Sequence, residues 1–546
     1  MTAQTAVLPP LVPENAPFSP EQRAWLNGFF AGLLSLDGGV QALSRDAATA
    51  LLGSPLPGET PLAEPEEDDG APWHDASMPM DERMKLADGR PLRRRMMAAM
   101  AQQDCGQCGY LCDTYADALA KGEETKLNLC APGGKETSRM LKKLAEERGG
   151  AAAPKPAAAP APVPMAAAAI EPGRSREAPV LAAFLSKRAV SGAGSDKATN
   201  HVEIDLSACG LTYEPGDSFG LFATNAPALC AAVAARLGLD AATAVAHDGA
   251  TAPLGVWLAE KVSLGAAPDA LFELLGAYAE NPDDKARLAK LAEGEDPDGD
   301  LETLDVLAAL EKFPAATPPA AELLAALDPL QPRLYSISSA LSADPGKVSL
   351  TVAAVRYRIG DRERLGLAST YLADRVAPGD QLKVYVQKAH GFALPADGAT
   401  PVIMVGPGTG IAPFRSFLRH RMATGAAGGA WLFYGHQHEA TDFYYRDELE
   451  ELQAKGALTT LSLAWSRDGA QKVYVQDRMR EAGAELWDWL GRGAHFYVCG
   501  DAKRMAADVE KALVEIAAAH GGLAPDAAKA FVAELKTAGR YQADVY

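Results

Sequence analysis

Residues 149–169, GGAAAPKPAAAPAPVPMAAAA, cannot belong to a packed element. Proline breaks helices and removes ladder donors, and alanine alone builds no apolar face, so the segment favours extended polyproline II. A chain carrying it must fold as separate bodies on either side. At roughly 3.1 Å per residue, such a linker lets those bodies stand up to about 60 Å apart.

The whole chain has 546 residues, too many for one core, and predicts three or four units. Its formal charge of −19 argues against a nucleic-acid surface, which needs clustered Lys and Arg, and disfavours an acidic partner. No long, strongly apolar run appears, and the first residues lack the charged-then-apolar pattern of a signal peptide, so a cytoplasmic protein without a membrane span is expected. Seven cysteines are too few for a disulfide framework.

Before the linker, residues 18–36 read as an amphipathic helix. Ser19 is the N-cap, Pro20 stands at the first turn and Gln22 completes a capping box. Its broad apolar face, from Trp25 to Leu34, must dock on something, a route to a homo-oligomer. Residues 55–79 are Pro-rich and acidic, as in a tether, and Arg93, Arg94 and Arg95 then form either a solvated helix start or a docking patch. Four of the seven cysteines follow within a short segment, Cys105-x2-Cys108-x3-Cys112-x17-Cys130. Four thiolates on one compact loop and helix suit a [4Fe-4S] cluster, with Gly106 and Gly109 letting amides turn toward sulfur. Zinc is the alternative, although the paired CxxC knuckles of zinc sites are absent; free thiols are another. The segment also resembles the small [4Fe-4S] domains of redox proteins.

After the linker the texture changes. Residues 178–394 carry strand-and-turn patterns, interrupted over about 226–327 by Ala and Leu at helical spacing, as in an antiparallel barrel with a helical insertion. From residue 400, the short apolar runs PVIMVG, AWLFYG, TTLSLAWS and AHFYVCG alternate with helices, the pattern of a doubly wound parallel sheet. Arg333-Leu334-Tyr335-Ser336 offers a cation, an aromatic and a hydroxyl. Gly366-Leu367-Ala368-Ser369 precedes a helix, whose free amides can take phosphate. Gly406, Gly408, Thr409 and Gly410 lie between a buried strand and a helix, where a dinucleotide diphosphate is cradled. Ser466, Arg467, Lys472, Tyr474 and Gln476 suit a 2′-phosphate, hence NADP rather than NAD.

Together with Cys499-Gly500-Asp501 and the ending RYQADVY, this ordered set resembles the ferredoxin–NADP⁺ reductase-like module of diflavin reductases, and within them the flavoprotein subunits of assimilatory sulfite reductases. The resemblance implies FAD contacts from Arg333, Leu334, Tyr335, Ser336, Thr351, Val352, Ala353, Tyr357 and the loop Gly366, Leu367, Ala368 and Ser369. It implies NADPH contacts from Ser466, Arg467, Lys472, Tyr474, Gln476 and Asp508. Ser336, Cys499 and Asp544 would line the nicotinamide site, and Tyr546 would stack on the flavin and move aside. One departure stands out: the FMN-binding flavodoxin unit of that family has no counterpart in residues 37–148, where the four cysteines stand instead.

The expected fold is therefore multidomain, α+β and α/β. It has an N-terminal docking helix and tether (1–98), a small Fe–S domain (99–146) and a linker (147–177). An FAD-binding antiparallel β-barrel with helical insertion (178–394) and a doubly wound parallel-sheet NADP-binding domain (395–546) complete it. The expected activity is that of an NADPH-dependent oxidoreductase passing electrons from NADPH to FAD to [4Fe-4S] to a separate metalloprotein. Sulfite reductase haemoprotein is the first partner implied, and assimilatory nitrate or nitrite reductase the alternative. A further alternative is a zinc-bound docking module with direct transfer from FAD.

Overall fold

The computed structural model describes residues 71–76, 78–150 and 171–546, with the side chains of 148–150 and 503 outside the description. The helix expected at 18–36, most of the acidic tether and the Ala/Pro segment from 151 onward lie outside the described residues. The chain divides into units 1–69 and 70–546, and the described residues all belong to the second.

Its first body is a helical module: Met80–Leu86, Leu92–Ala98, Cys112–Lys121 and Gly134–Gly150. Pro79 and Pro91 precede the first two helices, where a missing N–H costs nothing. Met96, Met97, Met100, Tyr115, Leu119, Leu141 and Leu144 form one core with Cys130. Trp73, fully buried, carries Arg94 over its ring at 5.0 Å. The arginine triplet is thus engaged within the module. Arg93 pairs with Asp113 at 2.8 Å and Arg95 with Glu147 at 2.6 Å, tying three helices together. A boundary between 98 and 99 would cut this core, because residues 71–98 fold with the cysteines rather than with a tether.

Beyond residue 171 come β1 (Val180–Ala189), β2 (Thr199–Asp205), β3 (Ser218–Phe222), β4 (Ala244–His247), β5 (Ala250–Pro253), β6 (Arg333–Ser336), β7 (Lys347–Ala353), β8 (Arg356–Ile359), β9 (Arg362–Leu365) and β10 (Gln381–Gln387). Six of them form an antiparallel sheet in the order β6-β3-β10-β1-β2-β7. Its inward residues, among them Phe184, Ile204, Phe219, Leu350 and Val384, make one core. The two edges approach each other through a single antiparallel bridge, Ile337 to Leu350. The run VSLTVAAVRY is two strands rather than one: β8 leaves the main sheet to pair with β9 in a separate hairpin. The insertion holds six α-helices and one 3-10 turn between Pro227 and Ala326 around its own core, and also the hairpin β4–β5, which the Ala-rich periodicity concealed.

The last body contains β11 (Val402–Val405), β12 (Ala430–His436), β13 (Thr460–Trp465), β14 (His495–Gly500) and β15 (Tyr541–Val545). They pair in parallel, in the order β13-β12-β11-β14-β15. Ile403, Val405, Phe433 and Val498 pack on one face, and Val402, Met404, Tyr434 and Tyr497 on the other. Such two-sided burial makes these strands read as unbroken apolar runs. β15 escapes that signature because YQADV is an edge strand held on one side only.

Candidate functional site

In an open parallel sheet, ligands bind beyond the carboxyl ends of the strands, where the strand order reverses. Here the chain runs outward from β11 to β13 and returns to β14 and β15, so the crevice opens between β11 and β14. The loop Gly406–Gly410 comes directly after β11, and Cys499-Gly500-Asp501 ends β14. These two loops touch so closely that a Cβ on Gly410 would collide with the carbonyl of Cys499, and Gly408 takes φ +60°. Only glycine fits that contact.

The two sheets meet at this crevice. Ser336, at the end of β6, donates from Oγ to Asp544 Oδ2 at 2.6 Å, and the Cys499 thiol approaches the same oxygen at 3.9 Å. Removal from water raises the Asp544 carboxyl, against the hydrogen bonds from Ser336 and Cys499, and burial pushes the Cys499 thiol far up. Burial thus disfavours charge on both the thiol and the carboxyl of this cluster. Tyr546 lies beside it, 57% exposed, its hydroxyl 2.8 Å from Thr409 Oγ1. Struts hold the geometry: Arg415 donates to Ser338 O at 2.7 Å while pairing with Glu448, and Ser416 Oγ donates to Ser339 O at 2.6 Å.

On the sheet side, Arg333 is largely withdrawn from water, and burial lowers its pKa; it makes no ion pair among the described residues. Among the described residues, its guanidinium bonds only to the carbonyls of Gln331 and Pro332. An uncompensated, desolvated cation fits a diphosphate well. Leu334 and Tyr335 pair with Gly220 and Phe219 on β3. Gly366 precedes the short helix Leu367–Thr370, where Ser369 Oγ accepts from Val355 N at 3.1 Å and Ala368 is buried. Two expected contacts are occupied otherwise. Thr351 Oγ1 meets Tyr445 OH at 2.7 Å, at the start of the helix Arg446–Ala454, and Val352 lies in the core, leaving only backbone for a ligand. Ala353 ends β7, and Tyr357 stands 55% exposed on the β8–β9 hairpin.

Ser466 and Arg467 come after β13 and are bonded through their amides to the carbonyls of His436 and Gln437. Lys472 and Tyr474 are exposed next to them, and Gln476 Nε2 reaches Asp508 Oδ2 at 3.3 Å. Sequence reasoning missed Asp196, 2.6 Å from Arg467 Nη1, which sits in a Gly/Ser-rich turn with no chemical signature of its own.

Cys105, Cys108, Cys112 and Cys130 line one small cavity with Met100, Tyr110, Tyr115 and Pro132. Gly106 and Gly109 adopt φ +67° and +94°. The Cys108 thiol donates to Tyr110 O at 3.5 Å. Burial pushes the Cys105 thiol up to about 12 and raises the other three as well. A cationic centre would have to displace those protons. Among the described residues, no three His, Cys, Asp or Glu side chains close on a point where one ion would be held.

The cysteine loop is seated on the antiparallel-sheet body. Gln107 Nε2 donates to Pro332 O, next to Arg333, at 2.8 Å, and Arg176 donates to Gln107 O at 2.5 Å. Arg139 forks onto Asp269 at 2.9 and 3.0 Å. Among the described residues, no helix is long and apolar enough to cross a membrane.

Residues 172–371 match the family described as FAD binding domain, and residues 404–511 the one described as oxidoreductase NAD-binding domain. A protein of Pectobacterium atrosepticum named "Sulfite reductase [NADPH] flavoprotein alpha-component" is 42% identical over 384 residues, covering 68% of this chain and 60% of the relative. Its namesake in Bacillus subtilis (strain 168) is 42% identical over 409 residues, 74% of this chain and 66% of the relative. The one in Sodalis glossinidius is 44% identical over 388 residues, 68% of this chain and 61% of the relative. The chain spans about 60% of the length of most of these relatives. It is thus a homologue of sulfite reductase flavoprotein alpha-components, similar to them through an FAD binding region followed by a nicotinamide-nucleotide-binding one.

Proposed function

We propose that the chain is an NADPH-dependent oxidoreductase with FAD as hydride acceptor and a [4Fe-4S] cluster on Cys105, Cys108, Cys112 and Cys130 as one-electron carrier. Its outlet is a separate metalloprotein, the haemoprotein of a sulfite reductase, as the names of the relatives suggest. The observation that carries this reading is the Ser336–Asp544–Cys499 cluster, built from both sheets at the one crevice they share.

Arg333 would hold the FAD diphosphate, with Tyr335 against the ring system and the amides after Gly366 supporting it. Gly406–Gly410 would take the NADPH diphosphate, and Ser466, Arg467, Lys472 and Tyr474, with Gln476 and Asp508 beside them, its 2′-phosphate end. When bound, FAD accepts two electrons as hydride and releases them singly, and a cluster stores one. Ser336 Oγ and the Asp544 carboxyl hold a proton between them at the place where the nicotinamide must sit, and Cys499 keeps that place apolar. Tyr546 covers it and must swing off Thr409 to admit the coenzyme. The four cysteines occupy the order in the chain where the related diflavin enzymes carry FMN.

Anaerobic purification followed by metal, sulfide and flavin analysis tests this. About four iron and four sulfide per FAD are expected. Zinc in place of iron would make the module a docking device and end the proposed route.

A further inference from the structure

The turn joining β1 to β2 belongs to the antiparallel sheet but is bolted to the parallel one. Gly192 N donates to Thr441 O at 2.6 Å, and Ser195 Oγ donates to Asp442 Oδ1 at 2.5 Å. Asp442 is completely buried, accepts from His438 N at 3.0 Å and faces His436 Nδ1 at 3.2 Å. The base of the turn is therefore fixed. Its next residue, Asp196, projects to Arg467, with Oδ2 2.6 Å from Nη1. With its amide oriented to satisfy both groups, Gln437 donates to that same carboxylate oxygen at 3.3 Å and accepts from Arg467 Nη2 at 3.0 Å. The guanidinium assigned to the 2′-phosphate is thus already engaged by an anion from the other body.

Carboxylate and phosphate compete for the same planar fork of donors. Both partners are accessible, with side chains 65% and 48% exposed, so the pair is weak and exchangeable. A phosphate monoester brings nearly two charges and three acceptor oxygens where Asp196 brings one charge. Displacing Asp196 leaves the base of the turn intact, because the Gly192 and Ser195 bonds do not involve it.

We propose that Asp196 is a built-in competitor for the 2′-phosphate of the coenzyme, holding Arg467 in position until the phosphate takes its place. This rests on the assignment of Arg467 to that phosphate. Without coenzyme, the carboxylate keeps the guanidinium oriented and excludes weaker anions; with it, the exchange subtracts a fixed amount from affinity.

The test is calorimetric titration of the full chain with 2′,5′-ADP and with 5′-AMP, for the wild type, Asp196→Asn, Asp196→Ala and Arg467→Ala. Removing the competitor should tighten 2′,5′-ADP by about two- to fivefold and leave 5′-AMP unchanged. Unchanged or weaker 2′,5′-ADP binding in both Asp196 variants, with discrimination lost in Arg467→Ala, would overturn the competitor while leaving the Arg467 assignment standing. Full discrimination in Arg467→Ala would remove that assignment, and the proposal with it. Because Asp196 is exposed and only its side chain changes, melting curves of both variants should match the wild type.

Discussion

Asp544 Oδ2 receives the Ser336 hydroxyl and faces the Cys499 thiol, at the place the proposed reaction assigns to the nicotinamide. Asp544→Asn should slow hydride transfer by about 100-fold with FAD content unchanged, read by stopped-flow bleaching of the flavin with a primary isotope effect from deuterated NADPH. Arg333→Ala should act at binding instead: the purified protein loses FAD, and added FAD restores activity only at high concentration. That Ser336, Cys499 and Asp544 come together was legible because the motifs around them occur in a fixed order. Asp196 was not, because a lone aspartate in a polar turn carries no period and no spacing; only the fold brings it to Arg467. Thr351 was legible as a strand residue, but its bond to Tyr445 depends on how two bodies pack, which no local pattern encodes.

At the scale of elements, the loop after β11 is the least replaceable. Gly410→Ala should cost about 1–3 kcal/mol through collision with Cys499 O, and it should abolish coenzyme binding at temperatures where the protein remains folded. Thermal melting with and without NADP⁺ checks both. The parallel strands were readable because burial on two faces leaves continuous apolar runs. β15 was hidden because an edge strand mixes polar and apolar residues, and β4–β5 because its alanines also suit a helix. The arginine triplet misled for a different reason: three adjacent charges look solvated until Asp113, Glu147 and the Trp73 ring come within reach.

At the scale of the molecule, the two sheets are joined through a buried histidine. His201 Nδ1 lies 3.1 Å from Tyr445 OH, and burial, with Arg415 and Arg188 nearby, holds its pKa down to about 3 from 6.5. The unfolded chain therefore binds a proton that the folded one refuses, so stability is full above about pH 6.5 and falls as pH drops toward 3. The loss should reach about 2 kcal/mol at pH 5 relative to pH 7, and His201→Gln should flatten that slope in melting curves taken across the range.

The seat of the cysteine module has a different character. The module keeps its own core, and it meets the rest of the chain through Arg139–Asp269, Lys142–Glu273 and Lys536–Asp75, together with Gln107 on Pro332. The ion pairs of this contact, which stand beside the hydrogen bonds of Arg176 to Gln107 O and Asn128 to Asp328, are screened by electrolyte, over about 8 Å at 0.15 M and about 3 Å at 1 M. On the proposed route, salt thus becomes a dimmer on the stretch between flavin and cysteine module. Raising it should slow delivery to a cluster-dependent acceptor while ferricyanide, taking electrons straight from the flavin, is reduced at an undiminished rate once coenzyme is saturating.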